Sequence, residues 1–127
     1  MVRFLILFLC VCSWGYTKAA SKVKVACVGN SVTYGYLVPA REKNCYPARL
    51  SQMLGEGYEV RNFGKSGATL LNKGHRPYMK QPEFQEALKF APDWVVIHLG
   101  LNDTDPRNWP NYRDEFIPDY LALIDSF

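Results

Sequence analysis

Val23-Lys24-Val25-Ala26-Cys27-Val28-Gly29-Asn30-Ser31-Val32-Thr33-Tyr34-Gly35 is the stretch whose reading decides the fold. The β-branched run Val23–Val28 reads as a strand. Ser31 follows at its C-terminal tip, which is where a parallel α/β sheet gathers ligands and chemistry. Taken alone, Ser31 reads as a cap for the next helix. Other loops of the chain must decide whether it does more.

Working outward, strand and helix signals alternate. Pro47–Leu54 reads as a helix, with proline in its first turn and Gly55 as its stop. Tyr58–Asn62 is a second, shorter strand. Pro82–Phe90 is a second helix, with Phe84, Ala87, Leu88 and Ala91 on one face. Trp94–Leu99 is a third strand, and its continuous apolar run predicts a central strand covered on both faces. From about Pro118, the residues Tyr120, Leu121, Leu123, Ile124 and Phe127 follow helical spacing. This order implies a parallel sheet with right-handed crossovers. Three strands leave a long apolar edge open, so the chain reads as the N-terminal part of a longer domain.

The 127 residues are 48% hydrophobic and 21% charged, enough for one domain at most. The first twenty residues stand apart. Arg3 precedes the apolar run Phe4–Cys12, and Thr17-Lys18-Ala19-Ala20 supplies small residues for cleavage. That is the layout of a secretory signal peptide. The run is short of the ~20 apolar residues a membrane-spanning helix needs. Bulky Phe8-Leu9 before Cys10 argues against a lipid anchor. The expected address is secreted or periplasmic, with residues 21–127 as the domain. Without Arg3 and Lys18, that domain carries one net positive charge. This balance gives no basis for a nucleic-acid or membrane-surface partner. Cys27 and Cys45 remain. Export permits their pairing, but Cys27 lies in a strand expected to be buried, where a core thiol is the simpler state. No Cys/His spacing suggests zinc, and no cofactor is expected.

Three loops follow the three strands: Gly29–Gly35, Gly64-Lys65-Ser66-Gly67-Ala68-Thr69 and Gly100-Leu101-Asn102-Asp103. In a parallel sheet all three emerge at one end. Acyl transfer needs a nucleophile, a base, and donors aimed at the developing oxyanion. Ser31 is the candidate nucleophile. The backbone N–H groups of Ser31 and Gly67 and the side-chain amide of Asn102 are the candidate donors. Glu59 stands where a phosphate-binding loop ending in Gly64-Lys65-Ser66 needs glycine, which excludes that motif. The spacing from Gly29 to Gly35 also fails the dinucleotide pattern. Asn102-Asp103-Thr104 matches a glycosylation sequon, read here as chance.

These residues resemble the SGNH hydrolase (GDSL-like lipase/acylhydrolase) family. Gly29-Asn30-Ser31-Val32 matches its Gly-Asp-Ser-Leu/Ile block, Gly67 its loop glycine, and Gly100-Leu101-Asn102-Asp103 its Gly-x-Asn-Asp block. The wording around Ser31 and from Asn102 to Trp109 is similar to the sialate O-acetylesterase-like branch. The resemblance implies a flavodoxin-like three-layer α/β/α fold with a parallel sheet, and hydrolysis of acetyl esters on carbohydrate. Two departures stand out. Asn30 replaces the usual Asp, which keeps hydrogen bonding and removes a charge. The Asp-x-x-His block that supplies the family's base does not occur in the chain, nor do the C-terminal strands that precede it.

Neither histidine fills that gap. His98 reads as a strand-end residue, and His75 as surface or substrate contact. Without a base Ser31 is an ordinary alcohol, so the 127-residue chain is expected to be nearly inactive. The rival expectation is a non-catalytic carbohydrate-binding relic of the same fold. Tyr36, Tyr78 and Trp109 are candidate sugar-stacking residues.

Overall fold

The computed structural model describes residues 21–127. The proposed signal peptide, residues 1–20, lies outside the described residues.

Three parallel strands form the sheet: β1 (Val23–Gly29), β2 (Tyr58–Gly64) and β3 (Trp94–His98), in the order β2-β1-β3. Val25 of β1 pairs with Val60 on one side and Trp94 on the other. The helices are α1 (Ser31–Tyr34), α2 (Arg41–Asn44), α3 (Tyr46–Leu54), α4 (Pro82–Phe90), α5 (Trp109–Tyr112) and α6 (Phe116–Asp125). Short 3-10 turns span Tyr78–Lys80, Leu101–Thr104 and Arg113–Glu115.

Strand periodicity sorts β1 between two layers. Ala26 and Val28 join the main core with Phe63, Phe84, Ala87, Phe90 and Leu123, beneath α4 and α6. Burial of each large side chain there contributes roughly 1.5–3 kcal/mol. Val25 and Cys27 face the opposite layer, where α3 packs on β2. The predicted helices and strands are therefore present. Pro47 lies in the first turn of α3, Pro82 opens α4, and Gly55 ends α3 at φ 76°.

Within the described residues β3 has a strand on one side only, in keeping with the reading of the chain as part of a longer domain. Among the described residues, β1 is the central strand and β3 pairs with it alone. Val95 and Ile97 pack against the core, but Trp94 is 69% exposed and Val96 is exposed as well. An apolar run has the same appearance at a sheet edge as at its centre, because lateral position is set by distant partners. No helix of the described residues is long and apolar enough to cross a membrane.

Candidate active site

Gly29 ends β1 with no room for a side chain. A Cβ there would lie 2.6 Å from the His98 carbonyl and would overlap the Thr33 hydroxyl. The chain then turns into α1 through Asn30, which is fully buried. Its N–H donates to the His98 carbonyl at 3.2 Å, and its Oδ1 accepts the Val32 N–H at 3.0 Å. The latter bond caps α1. Asn30 Nδ2 is buried with no partner among the described residues. An aspartate here would keep the cap and put a second oxygen in place of that amide. Ser31 therefore occupies the first helical position, and Asn30, not Ser31, is the capping side chain. The Ser31 hydroxyl, half-buried, makes no hydrogen bond among the described residues.

The second loop is fastened to the first. Lys65 N–H donates to the Gly29 carbonyl at 2.8 Å, and Asn62 Nδ2 donates to the Thr33 carbonyl at 2.7 Å. Gly64 packs directly on the Tyr34 backbone, which no side chain at that position allows. Gly67 adopts φ 78°, a left-handed conformation that favours glycine. Among the described residues, neither the Ser31 N–H nor the Gly67 N–H donates to a protein acceptor.

The third loop is fastened to the second. Asn102 Nδ2 donates to the Ala68 carbonyl at 2.8 Å, leaving its other amide hydrogen unassigned. Asp103 is fully buried and accepts the N–H groups of Leu70 at 2.9 Å and Leu71 at 2.7 Å. Asn108, also buried, is the second clamp. Its Oδ1 accepts the His75 N–H at 2.9 Å, while its Nδ2 donates to the Asn102 carbonyl at 2.9 Å and lies 2.9 Å from His75 Nδ1. Two backbone partners thus fix the orientation of the amide. It follows that His75 Nδ1 is an acceptor and that Nε2 carries the ring proton.

Each of the three candidate residues therefore sits on a loop tied to the next, at the C-terminal end of the sheet. Residues 27–127 match the model of the GDSL-like Lipase/Acylhydrolase family. The chain belongs to that family. Over 102 residues it is 50% identical to an acetylxylan esterase of Xylanibacter ruminicola, a match covering 80% of this chain and 21% of that protein. The chain thus spans about a fifth of that relative's length. It also superposes on the crystal structure of AlinE4, a SGNH-hydrolase family esterase, and on its D162A mutant. For both the TM-score is 0.57 and the identity 22%, covering 84% of this chain and 55% of theirs. At that identity the likeness shows the fold.

Within this GDSL-like acylhydrolase frame, the remaining residues take definite places. His98 contributes its backbone carbonyl to the Asn30 turn, and its ring is exposed on β3. His75, protonated at Nε2, presents a donor there and no lone pair for a proton. No histidine–carboxylate pair adjoins Ser31 among the described residues. Nor do these residues gather three or more His, Cys, Asp or Glu side chains able to hold a metal ion.

Tyr78 must be withdrawn as a sugar-stacking candidate. It is fully buried in the main core, with its hydroxyl donating to the Phe63 carbonyl at 2.7 Å, and burial raises its pKa. An aromatic after a loop reads as exposed until the loop folds back, as Thr69–Tyr78 does here through Thr69 N–H to the Arg76 carbonyl. Trp109 stays partly exposed, edge-on to Phe116 at 5.6 Å between centroids. Cys27 and Cys45 are free, buried thiols. Burial pushes the Cys27 thiol up to about 11, which suits a core residue and not a nucleophile.

Sequence reasoning assigned no role to Asp103 or Asn108. The signal available was only their place within the third block. The Arg107 side chain beside Asp105 holds that carboxyl well below the usual carboxylate range, closing the turn before Asn108.

Proposed function

We propose that this chain carries the nucleophile and oxyanion-binding part of an exported serine esterase that removes O-acetyl groups from carbohydrate. Ser31 Oγ attacks the acetyl carbonyl carbon. The resulting oxyanion accepts hydrogen bonds from the Ser31 N–H, the Gly67 N–H and the Asn102 amide. The sugar alkoxide leaves with a proton, and water then releases acetate from Ser31. A histidine oriented by an aspartate, of the family's Asp-x-x-His kind, takes and returns the proton. The partial coverage of the relatives supports placing that pair outside these 127 residues.

The observation that carries this reading is the pair of uncommitted N–H groups at Ser31 and Gly67, with Asn102 bound to the neighbouring Ala68 carbonyl. Acetylated xylan is supported as substrate by the 50% identical relative. A sialate ester is supported only by the wording of the motifs. The leader-like residues 1–20 support export. The lack of a base beside Ser31 among the described residues also supports a second reading, carbohydrate binding without turnover.

One experiment separates them. Acetate release from acetylated xylo-oligosaccharides is measured for the chain alone and for the chain joined to the C-terminal remainder of the Xylanibacter relative's catalytic domain. The chain alone should release acetate no faster than its S31A variant, and the fusion should restore Ser31-dependent release. Rapid Ser31-dependent release by the chain alone would overturn the placement of the base. A folded fusion that binds sugar without releasing acetate would favour the binding relic.

A further inference from the structure

A cleft of about 480 Å³ opens between the turn after α1 and the second loop, lined by Tyr34, Tyr36, Lys65, Ser66, Arg76 and Glu83. Its volume falls in the ordinary range for small-ligand sites. One wall is α1 and the turn after it, directly downstream of Ser31. The other is the second loop with Arg76, whose Nη1 donates to the Ser66 carbonyl at 3.1 Å. Arg76 reaches to 3.3 Å from where a Cβ on Gly67 would stand. Through Arg76 the cleft borders the second loop at Gly67.

Its chemistry is uneven. Tyr36 is 62% exposed, an open ring fit for the apolar face of a sugar. The Tyr34 ring is less open, with the Arg41 guanidinium 4.2 Å over its centroid. Lys65 is neutralised by Glu83 at 2.8 Å. Arg76 has no carboxylate within ion-pair distance among the described residues. Two polar atoms of the lining, Ser66 Oγ and Glu83 Oε2, are buried without a hydrogen-bond partner. Both atoms are closed off from solvent, so they face the interior and not the cleft.

From this juxtaposition we infer that the cleft is a subsite for a carboxylate-bearing sugar, a uronic acid residue next to the acetylated ring. Arg76 receives the carboxylate and Tyr36 supports the ring. A planar guanidinium fits a carboxylate with two parallel hydrogen bonds, which neither a hydroxyl nor water reproduces. A neutral sugar would use the Tyr36 ring but leave Arg76 without a carboxylate. This subsite deepens the esterase reading and rests on it only for the direction in which the substrate lies.

The test is binding, read without turnover. The full chain in its S31A form is titrated, by nuclear magnetic resonance, with a xylo-oligosaccharide carrying one glucuronate and with its neutral counterpart. The acidic ligand should bind about tenfold more tightly, as expected for a charge-assisted pair. R76Q should erase that preference while leaving the neutral ligand's affinity in place. R76K, which keeps the charge but not the fork, should retain part of it and guards against a folding defect in R76Q. Y36A should weaken both ligands alike. Equal affinity for the two ligands, or an unchanged preference in R76Q, would overturn the subsite. If acetate release fails in the fusion while the Arg76-dependent preference persists, the esterase reading falls and the subsite stands.

Discussion

At the scale of single residues, the candidate site separates groups that act on substrate from groups that hold them in place. In the proposed mechanism Asn102 belongs to the first kind. In the active fusion, N102A should lower kcat for acetate release by about 10²–10³, the usual cost of one oxyanion donor. Its KM should change little. Asp103 belongs to the second kind. Its two oxygens accept the Leu70 and Leu71 N–H groups in a fully buried setting. D103N replaces one acceptor with a donor facing a donor. It should cost about 1–3 kcal/mol in urea denaturation, well beyond the effect of S31A, whose hydroxyl makes no internal bond. A comparable stability for D103N and the parent would mean that the loops are held by other contacts.

At the scale of elements, the meeting of Tyr46 of α3 with Cys27 of β1 carries a pH signature. Burial raises the Cys27 thiol from 9.0 to about 11 and the Tyr46 hydroxyl from 10.0 to about 12. Both groups are acids whose neutral form the fold favours. Unfolding frees them to ionise, so their contribution is fully present below pH 9 and is lost as pH climbs through 11 and 12. Thermal unfolding should therefore show a falling Tm between pH 9 and 12. C27A should flatten the lower part of that fall, and Y46F the upper part. A parent and C27A with the same slope from pH 9 to 11 would show that the thiol does not titrate with folding.

At the scale of the whole molecule, the sheet is unevenly covered. The outer side of β3 has no strand partner among the described residues, and its Trp94 and Val96 side chains are exposed on the sheet face beside α3. An unprotected apolar edge is a template for pairing. The chain by itself should therefore self-associate in sedimentation velocity as concentration rises. V96K, a charge on that edge, should shift it toward monomer. A parent chain that stays monomeric at high concentration would show that the edge is harmless as it stands.

Much of this was legible in the sequence, and the limits have a physical pattern. Local preferences fixed the strands, the main helices, the glycine turns and the three loops, because turn chemistry and side-chain period act over a few residues. The candidates Ser31, Gly67 and Asn102 came from the same short-range signals. Only the tertiary structure decided that Tyr78 is core and that Asn30 caps α1. It alone showed that Asp103 holds Leu70 and Leu71, that Asn108 joins His75 to Asn102, and that Arg76 faces the cleft beside Gly67. Several of these are contacts between residues more than thirty positions apart. They depend on how folded loops meet, which no local pattern along the chain encodes.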